Sequence, residues 1–333
     1  RKVTGVQTCA LPIYIDIKGN VVIENKFNYA LEFEGDLAIA SIDDKYGFIN
    51  RIGEFVIEPK YDEVMPFNEG LAAIKLGDKN GYINLSGKLV VEPKYEEANF
   101  FVEGRAAVKS GYMWGYIDNE GMEIIPPKYL DANDFSDGLA TVQIGGKIAY
   151  IDKAGKVIID AVYDYANEFI SGIACVCAKG KYGYIDKDGE IIIPLRYNVC
   201  SEFNEGLAPI EIREKYGYID CTGEIIIKPK FEWADKFYGG IAVICENEKY
   251  GCIDKNGNIT IPTKFEDIDI MSEGLIAAQI GDLWGYIDCQ GEIIIEPIFE
   301  EAYEFTDGIA RVEIGKRIGY INKLGKYIWE LQS

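Results

Sequence analysis

A glycine returns every 34 residues along this chain, and no other feature narrows its fold as far. Gly47, Gly81, Gly115, Gly183, Gly217, Gly251, Gly285 and Gly319 share one 34-residue grid, broken only at Ala149. A second grid is complete, from Gly19 through Gly53, Gly87, Gly121, Gly155, Gly189, Gly223, Gly257 and Gly291 to Gly325. Spacing this regular, with no insertion, means one small unit stacked on copies of itself. The usual prior of about two domains for such a length does not apply, because each copy needs its neighbours to bury a core.

Within one copy, Leu71 to Lys75 alternates as a strand, with Ala72 and Ile74 on one face. Leu76 to Asn80 supplies a hairpin turn, and Gly81 to Asn84 a second strand. The next turn opens on Asp or Asn in every copy: Asp16, Asn50, Asn84, Asp118, Asp152, Asp186, Asp220, Asp254, Asp288 and Asn322. That side chain can accept backbone N–H bonds, and the glycine three residues on supplies positive φ. The third strand is apolar at successive positions, as in Ile191-Ile192-Ile193, which predicts a strand covered on both faces. Pro59, Pro93, Pro127, Pro229 or Pro297 then ends it, followed by an aromatic such as Tyr95 and, six residues later, another such as Phe101. Helical repeats also have a 34-residue period. Two or three glycines per copy, with a proline and a β-branched triplet, rule out the helix pair.

The run Met113-Trp114-Gly115-Tyr116-Ile117-Asp118 resembles the signature of the WG-containing repeat family of bacterial proteins. So does Leu283-Trp284-Gly285-Tyr286-Ile287-Asp288, with Glu273-Gly274-Leu275 upstream. The likeness runs from Tyr14 to about Trp329. It departs where Tyr46, Tyr182, Tyr216 and Tyr250, or Asn80, Ile148 and Ile318, replace tryptophan. The resemblance implies an all-β repeat that binds or scaffolds, with no catalytic residues to carry over.

Composition excludes several classes. A net charge of −21 repels nucleic acid and anionic membrane faces, leaving basic proteins, cations and neutral ligands. No apolar run is long enough to span a membrane as a helix. Histidine is absent, which removes the commonest general base and metal ligand. Cys9, Cys175, Cys177, Cys200, Cys221, Cys245, Cys252 and Cys289 form no C-x-x-C pair and read as scattered free thiols in a reducing, cytoplasmic setting. Residues 1–13 match nothing else in the chain. They read as a non-native sequencing artefact outside the fold, with the native N-terminus, and any signal peptide, lying upstream.

Three features could carry function. Repeated Tyr and Trp either stack on cell-wall sugars or form an interior ladder. Trp233 stands where other copies place Glu63, Glu97, Asp267 and Glu301. An acidic ladder of Asp62, Glu96, Asp164, Glu232, Glu266 and Glu300, beside Glu63, Glu97, Asp131, Asp267 and Glu301, is either a docking strip for a basic partner or a solvated face. Asp186 to Glu190 is too short for a calcium loop and is accounted for as a turn.

The expected fold is all-β: tandem copies of about three short antiparallel strands in an open, superhelical or solenoid-like array, or alternatively a closed β-propeller. The repeat domain is expected over 14–333. It comprises a partial copy at 14–25, eight intact copies to about 297 and a last copy at 298–333. The expected function is non-enzymatic protein binding or scaffolding, without cofactor or metal. Contacts would run through the variable loops Gly77 to Asn80, Glu211 to Lys215 and Glu246 to Lys249, and through an acidic face centred on Trp233, Glu63, Glu97, Glu232, Glu266, Glu300 and Glu301. The alternative is a cell-envelope glycan-binding module.

Overall fold

The computed structural model describes residues 3–6, 13–315 and 317–332. Every element among them is a strand; no helix occurs among the described residues. One copy forms an open antiparallel sheet of Glu63–Val64, Leu71–Leu76, Lys79–Asn84 and Leu89–Tyr95, paired in that order. The sheets repeat in tandem with three or four strands each, and none closes into a barrel. The two-residue strand, with the extended loop after it, fills the stretch between the two aromatics. Two residues show no periodicity, so the sequence gives no sign of a fourth strand.

Contacts divide the chain into two compact units. The first holds Arg1–Ile15, Val21–Gly180 and Tyr184–Ile191; the second holds Asp16–Asn20, Lys181–Gly183 and Ile192–Ser333. In each unit the core lies between successive copies. Tyr82 packs on Phe101 with ring centroids 4.8 Å apart, and Tyr116 on Phe135 at 5.0 Å. In the second unit Tyr218 packs on Phe237, and Tyr286 on Phe305, both at 4.8 Å. The tyrosine hydroxyls donate to backbone carbonyls of the next copy, Tyr82 to Asn99 at 2.7 Å and Tyr218 to Asp235 at 2.6 Å. The Tyr82 and Phe101 equivalents thus form an interior ladder.

The two glycine grids serve two close approaches. Opposite Gly115 the third strand bulges: Trp114 pairs with Tyr129 and Tyr116 with Ile125, so four positions of one strand span two of the other. A Cβ on Gly115 would run into the Ile125 carbonyl and the Pro127 nitrogen. Gly121 has φ +82° in the following turn and faces Val91 of the preceding copy. Asp118 Oδ1 accepts from the backbone nitrogens of Glu120 and Met122 at 3.0 and 2.9 Å. The same pair of bonds recurs at all ten predicted positions. In the second unit the Asp16–Asn20 turn lies against the last long strand, where a Cβ on Gly19 would strike the Ile328 carbonyl.

Two expectations are corrected. The third strand is not covered on both faces. Ile193 is fully buried while Ile191 is 56% exposed, and the strand is also the edge of its sheet. The prolines in its bulge remove backbone donors from that edge, which blunts pairing with another strand. Residues 1–13 do not all stand outside the fold either: Val3–Val6 is the strand next to Ile13–Asp16 in a three-stranded sheet. An open strand edge offers unpaired N–H and C=O groups to any extended segment beside it. Cys9 and the remainder of that segment, apart from Ile13, lie outside the described residues.

Candidate functional site

Hairpin tips and acidic side chains come together along one edge of each sheet. The tips are two-residue turns, with positive φ at both positions at Asp43-Asp44, Arg213-Glu214 and Asn247-Glu248 and at the first position at Gly77-Asp78 and Gly111-Tyr112. That geometry matches the twist of the flanking strands. Each tip is held by the residue just before the short strand. Asp62 accepts from Gly77 N at 2.7 Å, Glu96 from Gly111 N at 3.0 Å, Asp164 from Lys179 N at 2.7 Å and Glu232 from Asn247 N at 2.8 Å. The same carboxylates take a lysine from the preceding hairpin: Lys45 on Asp62, Lys79 on Glu96 at 2.6 Å, Lys147 on Asp164, Lys215 on Glu232 at 3.8 Å and Lys249 on Glu266 at 2.8 Å. The first acidic ladder therefore ties neighbouring hairpins together.

These contacts leave a mark on titration. The lysine beside each of Asp62, Glu96, Asp164 and Glu266 holds its carboxyl below the ordinary carboxylate range, helped by backbone N–H groups. A lowered folded value stabilises the fold above the ordinary range and is lost as pH falls through the lowered value.

The second ladder lies on the short strand itself. Glu63 faces Lys75 across the ladder and pairs with it at 2.7 Å; Glu97 pairs with Lys109, which also lies 5.5 Å from the Trp114 ring. Glu301 faces Glu313, and Glu300 is exposed. Glu63 and Glu97 meet in one cavity of about 270 Å³ with Lys75, Asn80, Glu96 and Asn99. Each of its three carboxylates already holds a lysine: Lys75 on Glu63, Lys79 on Glu96 and Lys109 on Glu97. Trp233 is 40% exposed and sits in the second unit, away from this cavity's lining.

Two arrangements escaped the sequence reading. In the turn before each first long strand, an acid at positive φ accepts the glycine N–H of the next copy. Glu69 takes Gly104 N at 2.8 Å, Glu103 takes Gly138 N at 3.0 Å, Glu205 takes Gly240 N at 3.0 Å and Glu273 takes Gly308 N at 2.9 Å. Lys153, Lys255 and Lys323 complete the clamp on Glu103, Glu205 and Glu273 at 3.0–3.1 Å. The available signal was the recurring Glu-Gly pair, with lysine 50 residues on. The second is a set of buried polar atoms in successive copies. The hydroxyls of Tyr61, Tyr95 and Tyr129 and one Asp134 oxygen are buried without a partner. Burial pushes the Asp134 carboxyl up, against a bond from Asn99.

A raised folded value costs stability above it, and the cost disappears below the ordinary Asp range. Asp134→Asn should therefore stabilise the protein at pH 7 by about 1 kcal/mol, discounted for partial exposure. Thermal melts at pH 7 and pH 3 check this: the gain should vanish at the acid end, and an equal gain at both would refute the titration account.

The cysteine expectation is also corrected. Cys177, Cys221, Cys245, Cys252 and Cys289 are free, but Cys175 and Cys200 are disulfide-bonded. They occupy the registers of Ala107 and Ala132, small residues of successive copies that share one core cluster.

Comparison with known proteins settles the class. The profile of the WG containing repeat family matches nine tandem stretches: 14–46, 46–79, 81–113, 114–147, 149–182, 182–216, 216–250, 250–284 and 284–317. The chain belongs to the WG containing repeat family. This family is a repeat type associated with binding and is not a known enzyme family. No curated protein matches the WG chain. Its solved neighbours are β-propeller-like folds. A structure described as the eukaryotic initiation factor aligns with TM-score 0.56 and 12% identity, over 87% of this chain and 94% of that one. BamB from Moraxella catarrhalis aligns with TM-score 0.41 and 11% identity, over 90% of this chain and 95% of that one. At such identities the first likeness speaks to fold alone.

Proposed function

We propose that this WG-repeat protein is a non-enzymatic binding scaffold that engages a basic protein partner through its hairpin tips and acidic short-strand edge. The observation that carries this reading is the constant two-residue length of the tips against the variety of their side chains. Successive tips present Asp43-Asp44, Gly77-Asp78, Gly111-Tyr112, Lys179-Gly180, Arg213-Glu214 and Asn247-Glu248. Tyr112 is 90% exposed. A held backbone that displays changing side chains loses little entropy when it binds. The exposed carboxylates of Glu63 and Glu97, on a chain of net charge −21, supply charge complementarity for lysine and arginine.

A lysine-rich peptide serves as the probe. Its affinity should fall steadily with salt, and Glu63→Gln with Glu97→Gln should weaken it by about fivefold at low salt. Calorimetric titration measures both. Binding that is unchanged in about 0.5 M salt, where exposed charges are screened, would remove the acidic edge from the interface.

A further inference from the structure

The short-strand position that carries an acid in many copies carries an aromatic ring in others, and the residue facing it changes in step. Glu63 and Glu97 face Lys75 and Lys109 and form ion pairs. Tyr29, Tyr165 and Trp233 instead face Ser41, Cys177 and Cys245. A small opposite residue carries no charge to pair with and leaves the ring beside the tyrosine of the second long strand. Trp233 meets Tyr250 edge-on, with centroids 6.1 Å apart at 71°. Two-fifths of the Trp233 surface remains open to solvent.

The surroundings of this ring are acidic. Glu232 precedes it in the chain, and Glu246 flanks the facing Cys245. Burial pushes the Cys245 thiol up, and the charges of Glu232, Glu248 and Glu246 push it the same way; Asp267 acts likewise on Tyr250. Lys249 is engaged on Glu266, and Lys215 lies 3.8 Å from Glu232, the longest of these lysine–carboxylate pairs. Lys109 lies over the Trp114 ring, but among the described residues no lysine or arginine lies over Trp233. Trp233 thus offers a half-exposed indole next to the acidic segments Glu232 and Glu246–Glu248, and such a ring attracts a cation through both its π face and the nearby charge.

We infer that Trp233, backed by Tyr250 and flanked by Glu232, Glu246, Glu248 and Asp267, seats a lysine or arginine side chain of a protein partner. This rests on the reading that the protein binds a basic partner. It adds an anchor in the second unit, at a point where the charge ladder alone predicts nothing. The ring takes the cationic head, and the carboxylates hold the peptide's remaining positive charge. A sugar ring would use the indole face but gain nothing from the four acids around it.

The test uses the full chain, an eight-residue peptide alternating lysine and glycine, and chitotetraose. Binding is followed by calorimetric titration in about 20 mM salt, where surface charge is little screened. Wild type should respond to the peptide, Trp233→Leu should bind it about three- to tenfold more weakly, and Trp233→Phe should fall between. An unchanged thermal midpoint in Trp233→Phe assures that the fold is intact. If Trp233→Leu binds the peptide as wild type does, this inference falls while the acidic-edge reading stands. If wild type ignores the peptide altogether, both fall. Calorimetric binding of chitotetraose that Trp233→Leu abolishes, with none of the peptide, would make the site a glycan site and overturn the inference.

Discussion

Replacing Phe237 by alanine should lower the stability of the second unit by about 3–5 kcal/mol, the usual cost of removing a fully buried aromatic. Phe237 has no exposed surface, and its ring meets Tyr218 of the preceding copy. It belongs to a cluster with Ile227, Phe231, Ala242 and Ile244, drawn from two successive copies. The loss should be local, since stacked repeats are stabilised by nearest-neighbour interfaces. Urea unfolding gives the magnitude. Hydrogen exchange gives the place: amides of Ile241–Glu246 and Lys249–Asp254 should exchange faster, while those of Leu71–Leu76 keep their protection. A loss under about 1 kcal/mol would mean that the aromatic ladder does not hold the copies together.

Gly115→Ala should cost about 2–3 kcal/mol, far more than one methyl group in a strand ordinarily does, because the bulging third strand has no room to yield. The methyl would collide with the Ile125 carbonyl and the Pro127 nitrogen, which are backbone atoms. One copy carries its own control. Ala149 occupies this position without exposed surface, and there Ala161 stands where Pro127 does, packed against the same cluster. Ala149→Gly should therefore cost only about 0.5–1 kcal/mol, the entropy of a glycine in a strand. Adding Pro127→Ala to Gly115→Ala should recover part of the loss, and a double-mutant cycle read by thermal unfolding measures that coupling. Strict additivity would show that the proline does not set the width of the bulge.

Much of the candidate surface was legible as position and little of it as chemistry. Glu63, Glu97, Glu232 and Glu266 recur at 34-residue multiples or one residue off them, so their alignment along one edge follows from the repeat. Their partners lie 12 or 17 residues away in the chain, through hairpin geometry that side-chain pattern does not encode. The Glu103–Gly138–Lys153 clamp draws on residues 35 and 50 apart, across three turns of different copies. The exposed face of the third strand was misread for a related reason. Ile225 and Ile227 are the same residue type two apart, and the bulge between their pairings leaves Ile227 buried and Ile225 exposed.

The sequence by itself determined the repeat, the all-β class, the two turns of each copy and the family, because all of these rest on local spacing: a glycine for each close approach, an Asp or Asn for each turn. Only the tertiary structure decided which groups are already occupied. It assigned the first acidic ladder to the hairpins and the Tyr82 and Phe101 equivalents to the interior. It left Trp233 half-exposed among carboxylates, because its facing residue is a small Cys245 rather than a lysine. Local spacing sets the backbone. Charge pairing and burial depend on which copies meet, and contacts between copies are long-range in the chain.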